Sequence, residues 1–113
     1  MNARVRMEAE SIVTVGELKI DVEARTAELR GEPVTLTPIE FDMLLSLGRA
    51  AGRVKSREQL LLEVAERDFE VFDRSIDVHI SSLRRKLGDD AKAPRWIETV
   101  RGAGYRIKKS GGD

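Results

Sequence analysis

Residues 74–88 read Arg-Ser-Ile-Asp-Val-His-Ile-Ser-Ser-Leu-Arg-Arg-Lys-Leu-Gly and have the clearest periodicity in the chain. Their isoleucines and leucines recur every three or four residues and form one narrow stripe, which comprises Ile76, Ile80, Leu83 and Leu87. This spacing is typical of an amphipathic helix with one buried side. Gly88 stands where helices commonly end, and Asp73 is a favourable N-cap residue. The pattern predicts a helix over residues 74–87.

The side opposite this stripe carries groups that suit nucleic acid. At about 100° per residue, the helix turns a set of polar and small side chains away from the stripe. They are Arg74, Val78, Ser81, Ser82 and Arg85, with Ser75 and His79 towards one flank and Arg84 towards the other. Guanidinium donors, hydroxyls and a small apolar group can read base edges and thymine methyls in a major groove. Taken alone, the helix favours a simpler interpretation, in which the basic residues 84–86 only complement the helix dipole.

Two capping boxes predict two more helices upstream. The box at 37–40, Thr-Pro-Ile-Glu, opens a helix that ends before Gly52. Its expected buried face comprises Phe41, Leu44, Leu45 and Gly48. After an extended link at 53–55, the box at 56–59, Ser-Arg-Glu-Gln, opens a helix with the buried stripe Leu60, Leu61 and Val64. Residues 66–73 break the periodicity, so we expect a loop there and a helix-turn-helix with an enlarged turn.

A hairpin is expected after the third helix. Residues 96–100 and 105–107 are predicted to form two short strands, and Arg-Gly-Ala-Gly at 101–104 the tip between them. The glycines leave Arg101 unobstructed, and a hairpin of this kind can insert an arginine into a minor groove. An ordinary hairpin would also need glycines at positive φ. The helix-turn-helix directly upstream favours a DNA-binding wing.

The N-terminal part of the chain follows a different period. Apolar residues alternate between 11 and 36, with turn residues near 16, 23–24 and 31–33, which predicts three or four short antiparallel strands. The expected fold is therefore α+β: a winged helix-turn-helix with an N-terminal antiparallel sheet, three helices and a C-terminal β-hairpin wing. This domain spans 11–109. Residues 1–10 are expected to be a linker remnant or disordered N-terminus, and 110–113 a disordered tail.

Composition and charge narrow the function classes. The 113-residue chain has no cysteine, which excludes disulfides and thiolate sites. It has no apolar run long enough to span a membrane and no signal peptide, so a cytoplasmic protein is expected. Its net charge is zero, yet residues 74–109 carry ten Lys or Arg against four Asp or Glu. That block creates a local positive field, although a solvated basic surface explains it equally well.

Catalytic signals are lacking. The single histidine, His79, has no second imidazole nearby in the sequence, which argues against a metal site. The pair Asp89-Asp90 is interpreted as solvated charge at a helix end. Residues 101–104 have neither the strand-to-helix setting nor the Lys-Ser/Thr of a phosphate-binding loop. We expect no enzyme, no cofactor and no metal.

The ordered motifs resemble those of one known family. They are the stretches at 36–41 (Leu-Thr-Pro-Ile-Glu-Phe), 53–60 (Arg-Val-Lys-Ser-Arg-Glu-Gln-Leu), 73–89 and 99–106 (Thr-Val-Arg-Gly-Ala-Gly-Tyr-Arg). Together they are similar to the OmpR/PhoB-type effector domains, the C-terminal DNA-binding domains of two-component response regulators. Residues 72–77 and the pair Ser81-Ser82 are most similar to the CpxR branch. The resemblance covers about residues 18–107.

The resemblance implies roles for individual residues. Base-facing positions would be Ser75, Val78, Ser81 and Ser82. Phosphate contacts would be Arg74, His79, Arg84, Thr99 and Tyr105, and Arg101 would be the wing residue. The loop at 66–73 would touch RNA polymerase through Glu66, Arg67, Asp68, Phe69 and Glu70. Two departures leave partner and target open: Ala65-Glu66 stands where many relatives have Trp, and Ser81-Ser82 where relatives often have Arg.

The resemblance also implies a function and partners. The chain would bind double-stranded DNA, at direct-repeat half-sites, and regulate transcription as the output domain of a phosphorelay. The full-length protein would include a receiver domain that a sensor kinase phosphorylates, whereas the isolated domain would be a monomer without membrane contact. The alternative is a winged-helix protein-interaction module. That module would need an exposed apolar surface, for which Phe69, Val71 and Phe72 are the candidates.

Overall fold

The computed structural model describes residues 11–65, 75–90 and 92–109. These residues form two antiparallel sheets and three helices, in the α+β arrangement expected of a winged helix. The elements are β1 (Ile12–Val15), β2 (Leu18–Asp21), β3 (Thr26–Leu29), β4 (Glu32–Val34), α1 (Pro38–Arg49), α2 (Arg57–Ala65), α3 (Ser75–Leu87), β5 (Ile97–Val100) and β6 (Gly104–Ile107).

The N-terminal sheet has four strands in sequential order, at the upper end of the expected three or four. Neighbouring strands pair antiparallel, with Val15 opposite Leu18 and Leu18 opposite Leu29. Alternate side chains of the sheet face the core, as period-two patterning requires. The buried ones are Val15, Leu18, Ile20, Ala27 and Leu29. Pro33 lies in the edge strand β4, where a missing N–H does not interrupt the sheet.

Helix α1 begins at the predicted capping box and is the centre of the domain. The backbone N–H of Glu40 donates to the Thr37 hydroxyl (3.2 Å), and the Thr37 N–H donates to the Glu40 carboxylate (2.9 Å). The four residues of the expected face are buried, and burial extends further than predicted, to every residue from 40 to 48. The reason is that α1 contacts β1 of the sheet as well as α2, α3 and β6.

Helices α2 and α3 follow the predicted pattern. The second capping box is confirmed, with the Gln59 N–H donating to the Ser56 hydroxyl (3.0 Å) and the Ser56 N–H to the Gln59 side chain (2.9 Å). Leu60 and Val64 are fully buried, whereas Leu61 is half-buried. The α3 stripe is confirmed, because Ile76, Ile80, Leu83 and Leu87 are all buried. The proposed cap Asp73 and the loop at 66–73 lie outside the described residues.

The C-terminal hairpin turns more tightly than expected. Gly104 pairs with Val100, so the tip consists of residues 101–103 rather than 101–104. Gly104 has φ 143°, and a Cβ there would lie 2.1 Å from the carbonyl oxygen of Lys55. That close approach lets Lys55 and Tyr105 exchange backbone hydrogen bonds of 2.7 and 2.9 Å. The link between α1 and α2 is thereby attached to the hairpin.

Asp89 corrects another expectation. Instead of being a solvated charge, its carboxylate accepts hydrogen bonds from the backbone N–H groups of Arg95 (2.7 Å), Trp96 (3.2 Å) and Ile97 (2.8 Å). The N–H groups at the start of β5 need acceptors, and the chain after Gly88 brings them to this carboxylate. Asp89 therefore connects the end of α3 to the hairpin.

Candidate nucleic-acid interface

The outer face of α3 is open to solvent, as the helical pattern predicted. Val78 is 65% exposed, which is unusual for a large apolar side chain, and Ser81 and Arg85 are also exposed. His79, Ser82 and Arg84 are half-buried at the edges of this face. Only the backbone of Ser75 is described, and Arg74 lies outside the described residues. The face thus presents one apolar group between polar ones.

Two residues of α3 are held by a buried carboxylate of α1. Nζ of Lys86 is 2.5 Å from Oε1 of Glu40, and the Ser82 hydroxyl donates to Oε2 at 2.5 Å. Burial acts to raise the pKa of Glu40, but hydrogen bonds from Lys86, Ser82 and Thr37 outweigh it and lower that pKa to about 2. The carboxylate is therefore ionised at neutral pH. It connects the start of α1 to the last turns of α3.

Arg84 joins α3 to the hairpin. Its Nε and Nη2 donate to the carbonyl oxygen of Ile97 at 3.2 and 2.9 Å, and Nη2 also donates to the Thr99 hydroxyl at 2.8 Å. The guanidinium carbon lies 5.8 Å from the centroid of the Tyr105 ring, within the range of a cation–π contact. Two of the expected phosphate-binding residues, Arg84 and Thr99, thus bind each other.

Tyr105 faces the first turn of α3. Its side chain is buried, and its hydroxyl donates a hydrogen bond to Asp77. Burial, then the Asp77 carboxylate, raises the pKa of Tyr105 to about 12. Nη2 of Arg57, the first residue of α2, is 3.0 Å from the other Asp77 oxygen. The hairpin, α2 and α3 therefore meet at this carboxylate.

The tip of the hairpin extends beyond this anchored base. Arg101, Gly102 and Ala103 are exposed, and Gly102 has the positive φ of 77° that the sequence predicted for a glycine. An open groove of about 420 Å³ separates the tip from α3 and is lined by Arg57, Asp77, Tyr105 and residues 99–104. Within the part of the chain that the structure describes, neither Arg85 nor Arg101 has an ion pair or side-chain hydrogen bond.

Three residues of this site were not identified from the sequence as contacts between α3 and the rest of the domain. Glu40 was recognised only as a capping residue, and neither Arg57 nor Asp77 was singled out. No local pattern marks them, because each acts through a partner at least twenty residues away along the chain. The expected polymerase contacts at 66–70 lie outside the described residues.

Neither a membrane-spanning helix nor a metal site is found in residues 11–65, 75–90 and 92–109. No helix there is long and apolar enough to cross a membrane. No group of three or more His, Asp or Glu side chains is arranged there to hold a metal ion.

A helix with an open polar face beside an anchored hairpin defines the winged-helix class, and comparison with known proteins specifies the family. The family described as "Transcriptional regulatory protein, C terminal" matches residues 31–107. The chain belongs to this family, the C-terminal DNA-binding effector domains of OmpR/PhoB-type response regulators, as the sequence motifs predicted.

Individual relatives agree with this assignment. The alkaline phosphatase synthesis transcriptional regulatory protein PhoP of Bacillus subtilis is 42% identical over 102 residues, which are 90% of this chain and 42% of that protein. A CpxR homolog of Haemophilus influenzae is 49% identical over 76 residues, covering 67% of this chain and 34% of that protein. The chain thus spans less than half the length of these curated relatives.

Solved structures show the same fold. The RstA DNA-binding domain of Klebsiella pneumoniae, in complex with the RstA box, superposes with a TM-score of 0.77 at 41% identity, covering 87% of this chain and 97% of that one. The DNA-binding domain of CpxR from E. coli superposes with a TM-score of 0.73 at 37% identity, covering 88% and 97%.

Proposed function

We propose that this chain binds specific sequences in double-stranded DNA and regulates transcription as the output domain of a phosphorelay response regulator. The observation that carries this proposal is the outer face of α3, which is open to solvent beside a hairpin that Arg84 and Tyr105 hold in place. An α-helix fits the major groove of B-DNA, and the hairpin then reaches the adjoining minor groove. The similar RstA domain, which was solved in complex with the RstA box, supports DNA binding by this fold.

Residues on the exposed face of α3 would read the bases. Val78 is exposed and apolar, so it suits the methyl group of thymine. The exposed Ser81 hydroxyl can donate or accept a hydrogen bond. Ser82 already donates to Glu40, which leaves its oxygen as an acceptor for the amino group of cytosine or adenine. Ser75 begins the helix and belongs to the same proposed set.

The phosphate contacts divide into two groups. Arg85 and Arg101 have exposed guanidinium groups, so they are the proposed cations for the major-groove edge and the minor groove. Arg84, Thr99 and Tyr105 already hold one another, and we infer that they support the interface and offer only their remaining donors. His79 and Arg74 complete the proposed set, with Arg74 outside the described residues.

Selection of bound duplexes from a random DNA pool tests the proposal. It should return one short motif, and binding to that motif should weaken steeply as salt increases, because phosphate contacts release counterions. Val78→Ala should shift the preference at one position by about 1–3 kcal/mol. Failure of the pool to enrich any sequence would contradict the proposal.

The wider context is also proposed. The relatives are more than twice as long as the matched region, which supports a full-length protein with a further domain. We propose that this domain is a receiver that a sensor kinase phosphorylates, and that the protein is cytoplasmic. The isolated domain would be a monomer that occupies direct-repeat half-sites about 10–10.5 bp apart. Sedimentation, followed by titration of duplexes with one and two half-sites, tests this. A stable dimer in solution or a preference for inverted repeats would contradict it.

Two other functions have less support. A protein-interaction module would need an apolar outer face on α3, and Val78 is the one exposed large apolar side chain among the described residues of that helix. Contact of residues 66–70 with RNA polymerase would be an addition to DNA binding, which alanine variants of Glu66 and Glu70 in a reconstituted transcription assay would test. We propose no enzymatic activity, since the relatives are transcriptional regulators.

A further inference from the structure

An acidic side chain lies among the cations of the proposed interface. Asp77 is in the first turn of α3, and its side chain is 51% exposed. One carboxylate oxygen accepts the hydrogen bond from Tyr105, and the other pairs with Arg57 at 3.0 Å. A carboxylate on a surface that approaches phosphates weakens binding to every DNA sequence, since like charges repel.

Asp77 differs in its location from the other acidic residues. It lines the groove between α3 and the hairpin tip, together with the cations Arg57 and Arg101. It is the one acidic residue lining that groove among the described residues. The Arg57 side chain is 46% exposed, so solvent and a DNA phosphate can both reach it.

We propose that Asp77 is a positioning residue that limits the affinity of the chain for DNA of any sequence. By pairing with Arg57, it keeps that guanidinium from the DNA backbone, and by accepting from Tyr105 it fixes the hairpin relative to α3. A backbone contact strengthens binding to all sequences and carries no base information. Withholding one such contact therefore lowers the affinity for specific and non-specific DNA alike, and it leaves base recognition to the outer face of α3. This inference rests on the proposed DNA-binding function.

The test compares the 113-residue chain with Asp77→Asn, which removes the charge and keeps an oxygen that can accept from Tyr105. The probe is a duplex of randomised sequence about 20 bp long, titrated across a range of salt concentrations. One newly formed phosphate contact adds about 0.9 to the salt slope, which corresponds to about eightfold tighter binding at ~0.1 M salt. The affinity for a selected site should rise by the same factor, so the ratio of the two affinities should stay unchanged.

Two further variants test whether the gain in DNA affinity comes from the release of Arg57. Glu17→Gln makes the same charge change at a comparable exposed pair, because Glu17 lies 2.9 Å from Arg30 in the N-terminal sheet, away from the groove. It should leave the salt slope unchanged. The double variant Asp77→Asn with Arg57→Ala should lose the gain in non-specific affinity, because Arg57 is the group that Asp77 restrains.

The results that would overturn this inference differ from the result that would overturn the proposed function. An unchanged salt slope in Asp77→Asn overturns the inference, even where urea unfolding shows that the variant is less stable, because a merely structural role gives that result. A gain that persists without Arg57, or that Glu17→Gln reproduces, also overturns it. If the wild-type chain binds no duplex at any salt concentration, the proposed function itself fails.

Discussion

Two adjacent arginines of α3 allow a matched test of how the wing is held. The Arg84 side chain is half-buried and makes three hydrogen bonds to Ile97 and Thr99 of β5, whereas the Arg85 side chain is exposed and makes none within the described residues. Hydrogen bonds to a charged group each contribute about 1.5–3 kcal/mol when buried. Those of Arg84 are partly exposed and share donors, so we expect Arg84→Ala to lower the free energy of unfolding by about 2–3 kcal/mol in total.

The neighbouring variant should behave differently. Arg85→Ala should change the free energy of unfolding by less than about 0.5 kcal/mol, as surface substitutions do. It should instead reduce the salt slope of DNA binding by about one unit. Arg84→Lys should recover little stability, since an ammonium group cannot reproduce the planar fork of donors.

Urea unfolding followed by circular dichroism measures the first quantity, and anisotropy of a labelled duplex measures the second. Unfolding of Arg84→Ala at the same urea concentration as the wild type would refute a stabilising role of Arg84. Equal losses of stability in Arg84→Ala and Arg85→Ala would refute it as well, because only one of these arginines contacts the hairpin.

Three further predictions follow from other contacts. Gly104→Ala should destabilise the domain by about 3 kcal/mol or more, since its Cβ would overlap the Lys55 carbonyl. Gly102 lies in open space at φ 77°, so Gly102→Ala should lower the free energy of unfolding by only about 1–2 kcal/mol in the same titration. The pKa of Glu40 is about 2 in the folded protein, against an ordinary value of 4.5. The ionised carboxylate therefore stabilises the fold fully above its ordinary pKa, and this stabilisation is lost as the pH falls from there towards 2. Glu40→Gln should therefore lower stability at pH 7 and flatten the pH dependence in that window, and a parallel pair of pH curves would contradict this. Arg101→Ala should reduce affinity most on sites with A·T-rich flanks, where the minor groove is narrow, and an equal loss on G·C-rich flanks would argue against minor-groove contact.

Local patterns predicted the elements of this fold well. The capping boxes at 37–40 and 56–59 form the expected hydrogen bonds, because all their partners are within three residues of one another. The stripe of α3 is buried, since a period of three to four residues reports directly which side of a helix faces the core. The family resemblance then supplied the arrangement of these elements.

Contacts between distant elements were not predictable in the same way. The helical pattern put Arg84 on the flank of a DNA-binding face, whereas the structure turns its guanidinium to β5. Glu40 has a predictable role towards Thr37 and an unpredictable one towards Lys86, which is 46 residues further along the chain. Asp89 likewise accepts from backbone groups that only the folded hairpin brings near it. Such roles depend on tertiary arrangement, which periodicity does not report.

Chemical footprinting with dimethyl sulfate reports which groove each element occupies, because this reagent methylates guanine N7 in the major groove and adenine N3 in the minor groove. On a selected site, we expect protection of guanine N7 in one major-groove segment facing α3. We also expect protection of adenine N3 in the adjoining minor groove, which Arg101→Ala should abolish while the N7 protection persists. Unprotected N7 positions across a bound site would contradict the placement of α3 in the major groove.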